Sequence, residues 1–167
     1  SLLAGDYDNA RKHMYIRKPV LQLDAELEID RFTVRAVVKL AYILKQEGDA
    51  RRSAELANRA LPVVQSLPLL GIFGQGVREA QIYAILGQAD DAIAALDAAV
   101  DAGYRSSTAI DQWTLAIDPF FAELRDDDRF EIILARLDAL KAEMYERVLE
   151  AESTGDWAPL IALAGST

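Results

Sequence analysis

Apolar residues along this chain recur at steps of three and four, in blocks separated by glycine or proline. From about Asp30 to Glu47, Val37, Leu40, Ala41 and Leu44 fall on one stripe of a helix. Ala89, Ala92, Ile93, Leu96, Ala99, Val100 and Gly103 repeat the pattern further along. Two stretches are built alike. One runs from Leu40 through Glu47-Gly48-Asp49 to Ala60-Leu61, and the other from Ala80 through Leu86-Gly87-Gln88 to Ala99-Val100. Each is an apolar helix, a turn at glycine, a polar start and a second helix rich in alanine. Gly48 and Gly87 stand just past their helices, where a left-handed residue closes the last turn without a Cβ penalty. Asp49 is placed to cap the helix that it opens. Alternating strand-type stretches are absent. The pattern predicts an all-α protein, an array of antiparallel helix hairpins.

The ends vary this theme. Gly5-Asp6-Tyr7-Asp8-Asn9-Ala10 repeats the turn and second-helix opening without a first helix, so the first hairpin is expected to be truncated. Residues from Lys18-Pro19 to Glu28, and from Pro62 to Gly76, read as longer connections. Asp118-Pro119 is a cap followed by proline at the first helical position. A long helix is expected over Asp128 to Ala151, with Ile132, Leu134, Leu137, Leu140, Met144 and Val148 on one broad side. It should cap the exposed end of the array. Part of its face, with Tyr145 and Leu149, is alternatively open to pairing with a second copy. Gly155-Asp156-Trp157 is a weaker echo of the turn before Leu160, Ile161 and Leu163. Trp113, Trp157, Phe120, Phe121 and Phe130 are expected in the core. The organisation is thus one domain, with hairpins over 1–127 and capping helices over 128–167.

Composition narrows the classes. The chain has 167 residues, 51% hydrophobic and 27% charged, enough for one domain with a sizeable core. A net charge of −9 opposes a non-specific nucleic-acid surface, which needs a basic footprint. With no cysteine there is neither a disulfide framework nor thiolate chemistry. Apolar stretches are interrupted well before the ~20 residues of a membrane span, so no membrane insertion is expected. The first residues lack the pattern of a signal peptide. The chain begins at Ser1 without Met and is expected to be a fragment of something longer. A cytoplasmic location is expected, or a periplasmic one if a membrane span lies upstream.

The residues that could carry chemistry read more simply as structure. Asp126, Asp127 and Asp128 lack the glycine and later Glu of a calcium loop, and Asp128 with Glu131 looks like a capping box. Gly71-Ile72-Phe73-Gly74-Gln75-Gly76 lacks the Lys-Ser/Thr and the strand of a phosphate loop. It reads as a flexible approach to the helix ending at Leu86. His13 is the only histidine, and no Gly-x-Ser-x-Gly elbow accompanies it. No catalytic residue, cofactor or metal is expected.

The hairpins resemble degenerate tetratricopeptide repeats. Small residues stand at Ala41 and Ala80 in the first helices, at Ser53 and Ala92 early in the second helices, and at Ala60 and Ala99 late in them. Tyr83 matches an aromatic wedge position that Leu44 does not. The turn glycines are spaced 43 and 39 positions apart, beyond the ~34 of the standard repeat, and the two long connections absorb the excess. The order of Leu40 to Gly48, Leu67-Pro68, Tyr83 to Ala99 and Asp118-Pro119 through Phe130 resembles the tetratricopeptide-type C-terminal region of bacterial multidomain regulators. Those carry a winged-helix, class III cyclase or kinase effector. Asp128 departs from the proline expected there.

That resemblance implies a groove lined by the first helices. Carried onto this chain, it comprises Arg35, Val38, Tyr42 and Lys45, then Val77, Gln81 and Ala84, flanked by Lys39 and Arg78. Its basic residues suit a carboxylate-bearing peptide or protein tail. The first reading is therefore a non-catalytic scaffold that recruits or senses a protein or peptide for an effector outside this chain. On that reading, Tyr42→Ala should abolish binding without unfolding the domain. The alternative is a structural module that dimerises the parent regulator.

Overall fold

Alanine and serine at the helix crossings decide how closely this chain packs. The computed structural model describes residues 2–23, 26–70, 75–105 and 114–158. Six α-helices are present there: α1 (Tyr7–Arg17), α2 (Val34–Gln46), α3 (Ala50–Gln65), α4 (Arg78–Leu86), α5 (Ala89–Asp101) and α6 (Asp128–Thr154). Short 3-10 segments occupy Leu2–Ala4, Pro19–Gln22, Leu115–Ile117 and Pro119–Leu124. No strand occurs among the described residues, and the protein is an all-α helical array.

Helices α2 and α3 form one antiparallel pair, α4 and α5 the next, and α4 also packs on α3 and α2. In the first pair the Ser53 hydroxyl donates to the Ala41 carbonyl of the facing helix at 2.8 Å, in a buried setting. A small residue is needed at both positions for two backbones to approach so closely. Ala57, Ala60, Ala80, Ala92 and Ala99 are likewise fully buried. The stripe Val37, Leu40, Ala41 and Leu44 lies in the core as the spacing predicts.

Both turn glycines are left-handed, Gly48 at φ +88° and Gly87 at φ +74°. The next amide reaches back across each turn, Asp49 N to the Leu44 carbonyl and Gln88 N to the Tyr83 carbonyl, both at 2.9 Å. These bonds satisfy carbonyls that a helix end leaves orphaned. Asp49 then caps α3, accepting from the Arg52 amide at 3.2 Å.

Several boundaries differ from the periodic reading. Helix α2 starts at Val34, because the Asp30 carboxylate accepts from the Phe32 and Thr33 amides and holds a separate turn. Pro62 lies inside α3, so the connection to α4 begins only at Ser66. Asp127 caps α6, accepting from the Arg129 amide at 2.9 Å, and Asp128 is the first helical residue. Helix α6 continues past Ala151 to Thr154 and ends at Gly155. Its packed side carries Phe130, Ile133 and Leu137, whereas Ile132, roughly 200° from Phe130, faces away. Met144 is also exposed, whereas Ala151 near the end of α6 is buried again. Trp157 is half exposed rather than in the core, while Phe120, Phe121 and Phe130 are buried. Trp113, Gly71 to Gly74, Leu160, Ile161 and Leu163 lie outside the described residues.

Candidate binding site

The nine residues expected to line one groove fall in different surroundings. Val38 (1% exposed), Tyr42 (5%), Val77 (6%) and Ala84 (8%) are core residues, not a docking surface. The first helices α2 and α4 do share a face, but residues 118–123 of the same chain lie against it. The Gln81 side-chain amide donates to Asp118 at 2.8 Å, the Tyr42 hydroxyl to the Pro119 carbonyl at 3.2 Å, and the Lys45 ammonium to the Ala84 carbonyl at 3.1 Å. Lys45 also pairs with Glu123 at 3.0 Å. The rings of Tyr42 and Phe120 stand 4.5 Å apart, and that of Tyr7 meets Tyr42 edge-on. A cleft of about 380 Å³ remains beside Tyr42, Lys45, Ala84 and Phe120. Burial, and then the neighbouring Tyr7 hydroxyl, push the Tyr42 phenol well above its ordinary value, so it stays neutral. Arg78 turns elsewhere, donating to the Gln75 carbonyl at 2.9 Å.

Arg35 and Lys39 open onto a second, larger cavity of about 520 Å³ between α1 and α2. Its walls are apolar: Leu2, Ala10, Met14, Leu21, Phe32, Ala36 and Ile43. The other described lining residues are His13, Arg17, Lys18, Arg35 and Lys39. No carboxylate is among the described residues that line it. Helix α1 supplies His13 and Arg17 one turn apart, and α2 supplies Arg35 and Lys39 one turn apart, so the two pairs line the same cavity. Lys18 bridges the mouth, its ammonium donating to the Phe32 carbonyl at 2.9 Å. Arg35 and Lys39 are also engaged within the chain. Phe32 is 60% exposed and the Arg31 guanidinium covers its ring at 4.7 Å.

Sequence reasoning found two of these residues and missed His13, Arg17, Lys18, Phe32 and the apolar walls. A signal for them existed in the charge distribution. The first 60 residues hold 11 Lys and Arg against 9 Asp and Glu; the rest hold 7 against 18. The arrangement can do electrostatics and apolar contact. No group of three or more His, Asp or Glu among the described residues is placed to hold a metal ion. Asp127 serves α6, and its pairing with Arg129 holds its carboxyl below the ordinary aspartate value. No helix among the described residues is long and apolar enough to cross a membrane.

No family model matches this chain, and neither a curated protein nor a solved structure does.

Proposed function

We propose that this chain is a non-catalytic, tetratricopeptide-like docking module that takes an acidic amphipathic segment of a protein partner into the cavity between α1 and α2. The observation that carries this reading is the lining of that cavity: apolar walls under four Lys and Arg side chains and His13, with no acidic residue among the described lining residues, in a chain of net charge −9. Such a site rewards a segment with carboxylates on one side and aliphatic residues on the other. The apolar walls supply contact area, and the charges set register and accelerate encounter. Its volume falls within the range of ordinary ligand sites and can hold a few side chains, not a globular surface. The face between α2 and α4, filled by residues 118–123, holds this chain's own Pro119, Phe120 and Glu123 in place of a guest. A role in recruiting that partner to an effector elsewhere in the parent protein follows from the same reading.

The test is an anisotropy titration with a labelled helical peptide of Leu and Glu, beside its Leu–Lys counterpart. The Leu–Glu peptide should bind and weaken as salt is raised, and the Leu–Lys peptide should not bind. Placing two carboxylates on the exposed rim, with His13→Glu and Arg17→Glu, should weaken binding at least about tenfold while the circular dichroism spectrum holds. Equal affinity for both peptides, or indifference to these substitutions, refutes the proposal.

A further inference from the structure

Beside the residues 118–123 that lie against α2 and α4, a cleft of about 380 Å³ stays open, within the size range of small-molecule sites. Its buried lining includes aromatic rings. The Tyr42 ring stands 4.5 Å from that of Phe120, and the Tyr7 ring meets Tyr42 edge-on at 6.1 Å. Tyr42 and Phe120 are almost wholly covered, whereas Ile117 is 50% exposed and Tyr7 is partly covered, so apolar surface in the cleft still meets water. Three charged side chains are among the described lining residues: Lys45, Glu123 and Arg125. Two of them are spent on the chain itself, since the Lys45 ammonium holds the Glu123 carboxylate at 3.0 Å and the Ala84 carbonyl at 3.1 Å. Arg125 is exposed, and its one contact among the described residues is a long bond to the Asp118 carbonyl at 3.4 Å. A guanidinium has five N–H donors, so most of those on Arg125 have no acceptor among the described residues.

We infer that this cleft is a second binding site, for a small aromatic carboxylate whose charged group is held by Arg125 and whose ring lies against Ile117 and Tyr7. The chemistry of the lining selects that class. A guanidinium offers two parallel N–H donors that match the two oxygens of a carboxylate, and such charge-assisted bonds are stronger than neutral ones. Glu123 neutralises Lys45, so the described lining keeps one positive charge and suits a single negative one. A cationic ligand would meet Arg125 without compensation. The ring is selected by its neighbours: Tyr7, Tyr42 and Phe120 already form an edge-to-face and tilted series, and a flat apolar ring extends such a series favourably. The site shares no charged residue with the α1–α2 cavity, and it stands whether or not that cavity takes a peptide.

The test is an NMR titration of the isotope-labelled chain with 2-naphthoate, beside its neutral counterpart naphthalene-2-methanol. The acid should give saturable shift changes at Tyr42 to Gln46, Ala84, Ile85 and Ile117 to Arg125, with a dissociation constant of about a millimolar or tighter. The alcohol keeps the ring and loses the charge, so it should bind at least about tenfold more weakly to the unaltered chain. Arg125→Gln, at an exposed position, should leave the circular dichroism spectrum unchanged and bring the acid down to the affinity of the alcohol. No saturable change with the acid, changes centred on Ala10 to Lys18, equal binding of acid and alcohol, or a preference for the acid that survives Arg125→Gln would overturn the inference.

Discussion

Tyr42 shows how far a single residue can be read. Its place on α2 follows from the three-and-four spacing, and the resemblance sets it on a guest-facing side. What covers it is Pro119 and Phe120, 77 and 78 positions later, and no local pattern announces a contact of that range. The consequence for experiment is direct. Tyr42→Ala would open a cavity in the core and destabilise the protein by about 3–5 kcal/mol, so it reports on folding and not on a partner. Tyr42→Phe is the informative change. It removes the bond to the Pro119 carbonyl and should lower stability by about 1 kcal/mol at neutral pH in urea unfolding. The phenol is held above its ordinary value in the folded state, whereas the unfolded chain ionises near pH 10. Its contribution is therefore fully present below about pH 10 and lost as pH rises beyond it. Stability measured between neutral and strongly alkaline pH should fall more gently in Tyr42→Phe than in the unaltered chain.

At the scale of elements, the sequence makes the hairpins legible because their causes are local. Glycine past a helix end, aspartate before a helix start and small residues at crossings each act within a few positions. Gly48, Gly87, Asp49 and Ser53 all take the roles their neighbours imply. Boundaries set by side-chain competition are less legible. Asp30 turns its carboxylate onto two amides and delays α2 by four residues, and Asp127 takes the capping role from its neighbour. Helix α6 was readable as amphipathic, but periodicity cannot say where the body beneath it stops. Buried Leu137 and exposed Met144 should consequently differ. Leu137→Ala should destabilise by about 2–5 kcal/mol, and Met144→Ala by no more than about 0.5 kcal/mol. Chemical denaturation of the two variants checks this; equal losses would mean that Met144 is packed as Leu137 is.

The whole molecule is an acidic helical array with a basic, partly apolar recess at one end. Net charge conceals that recess, since the excess of acid lies after residue 60 while α1 and α2 together hold six Lys and Arg against one Asp. The recess also depends on how α1 settles against α2, a packing outcome that neither helix encodes alone. Helix α1 is in fact weakly amphipathic, with no fully buried residue, so nothing in its own pattern marks Met14 as a wall and His13 and Arg17 as a rim. The resemblance drew attention to the face between first helices, and in this chain residues 118–123 lie there instead.

The claim that the α1–α2 recess is the guest site is tested most directly by mapping the Leu–Glu peptide onto the isotope-labelled chain by NMR. Shift changes should concentrate at Ala10 to Lys18 and Phe32 to Ile43 and saturate together on titration. Changes centred instead on Lys45, Gln81 and Pro119 to Glu123, or no saturable change anywhere, would contradict it.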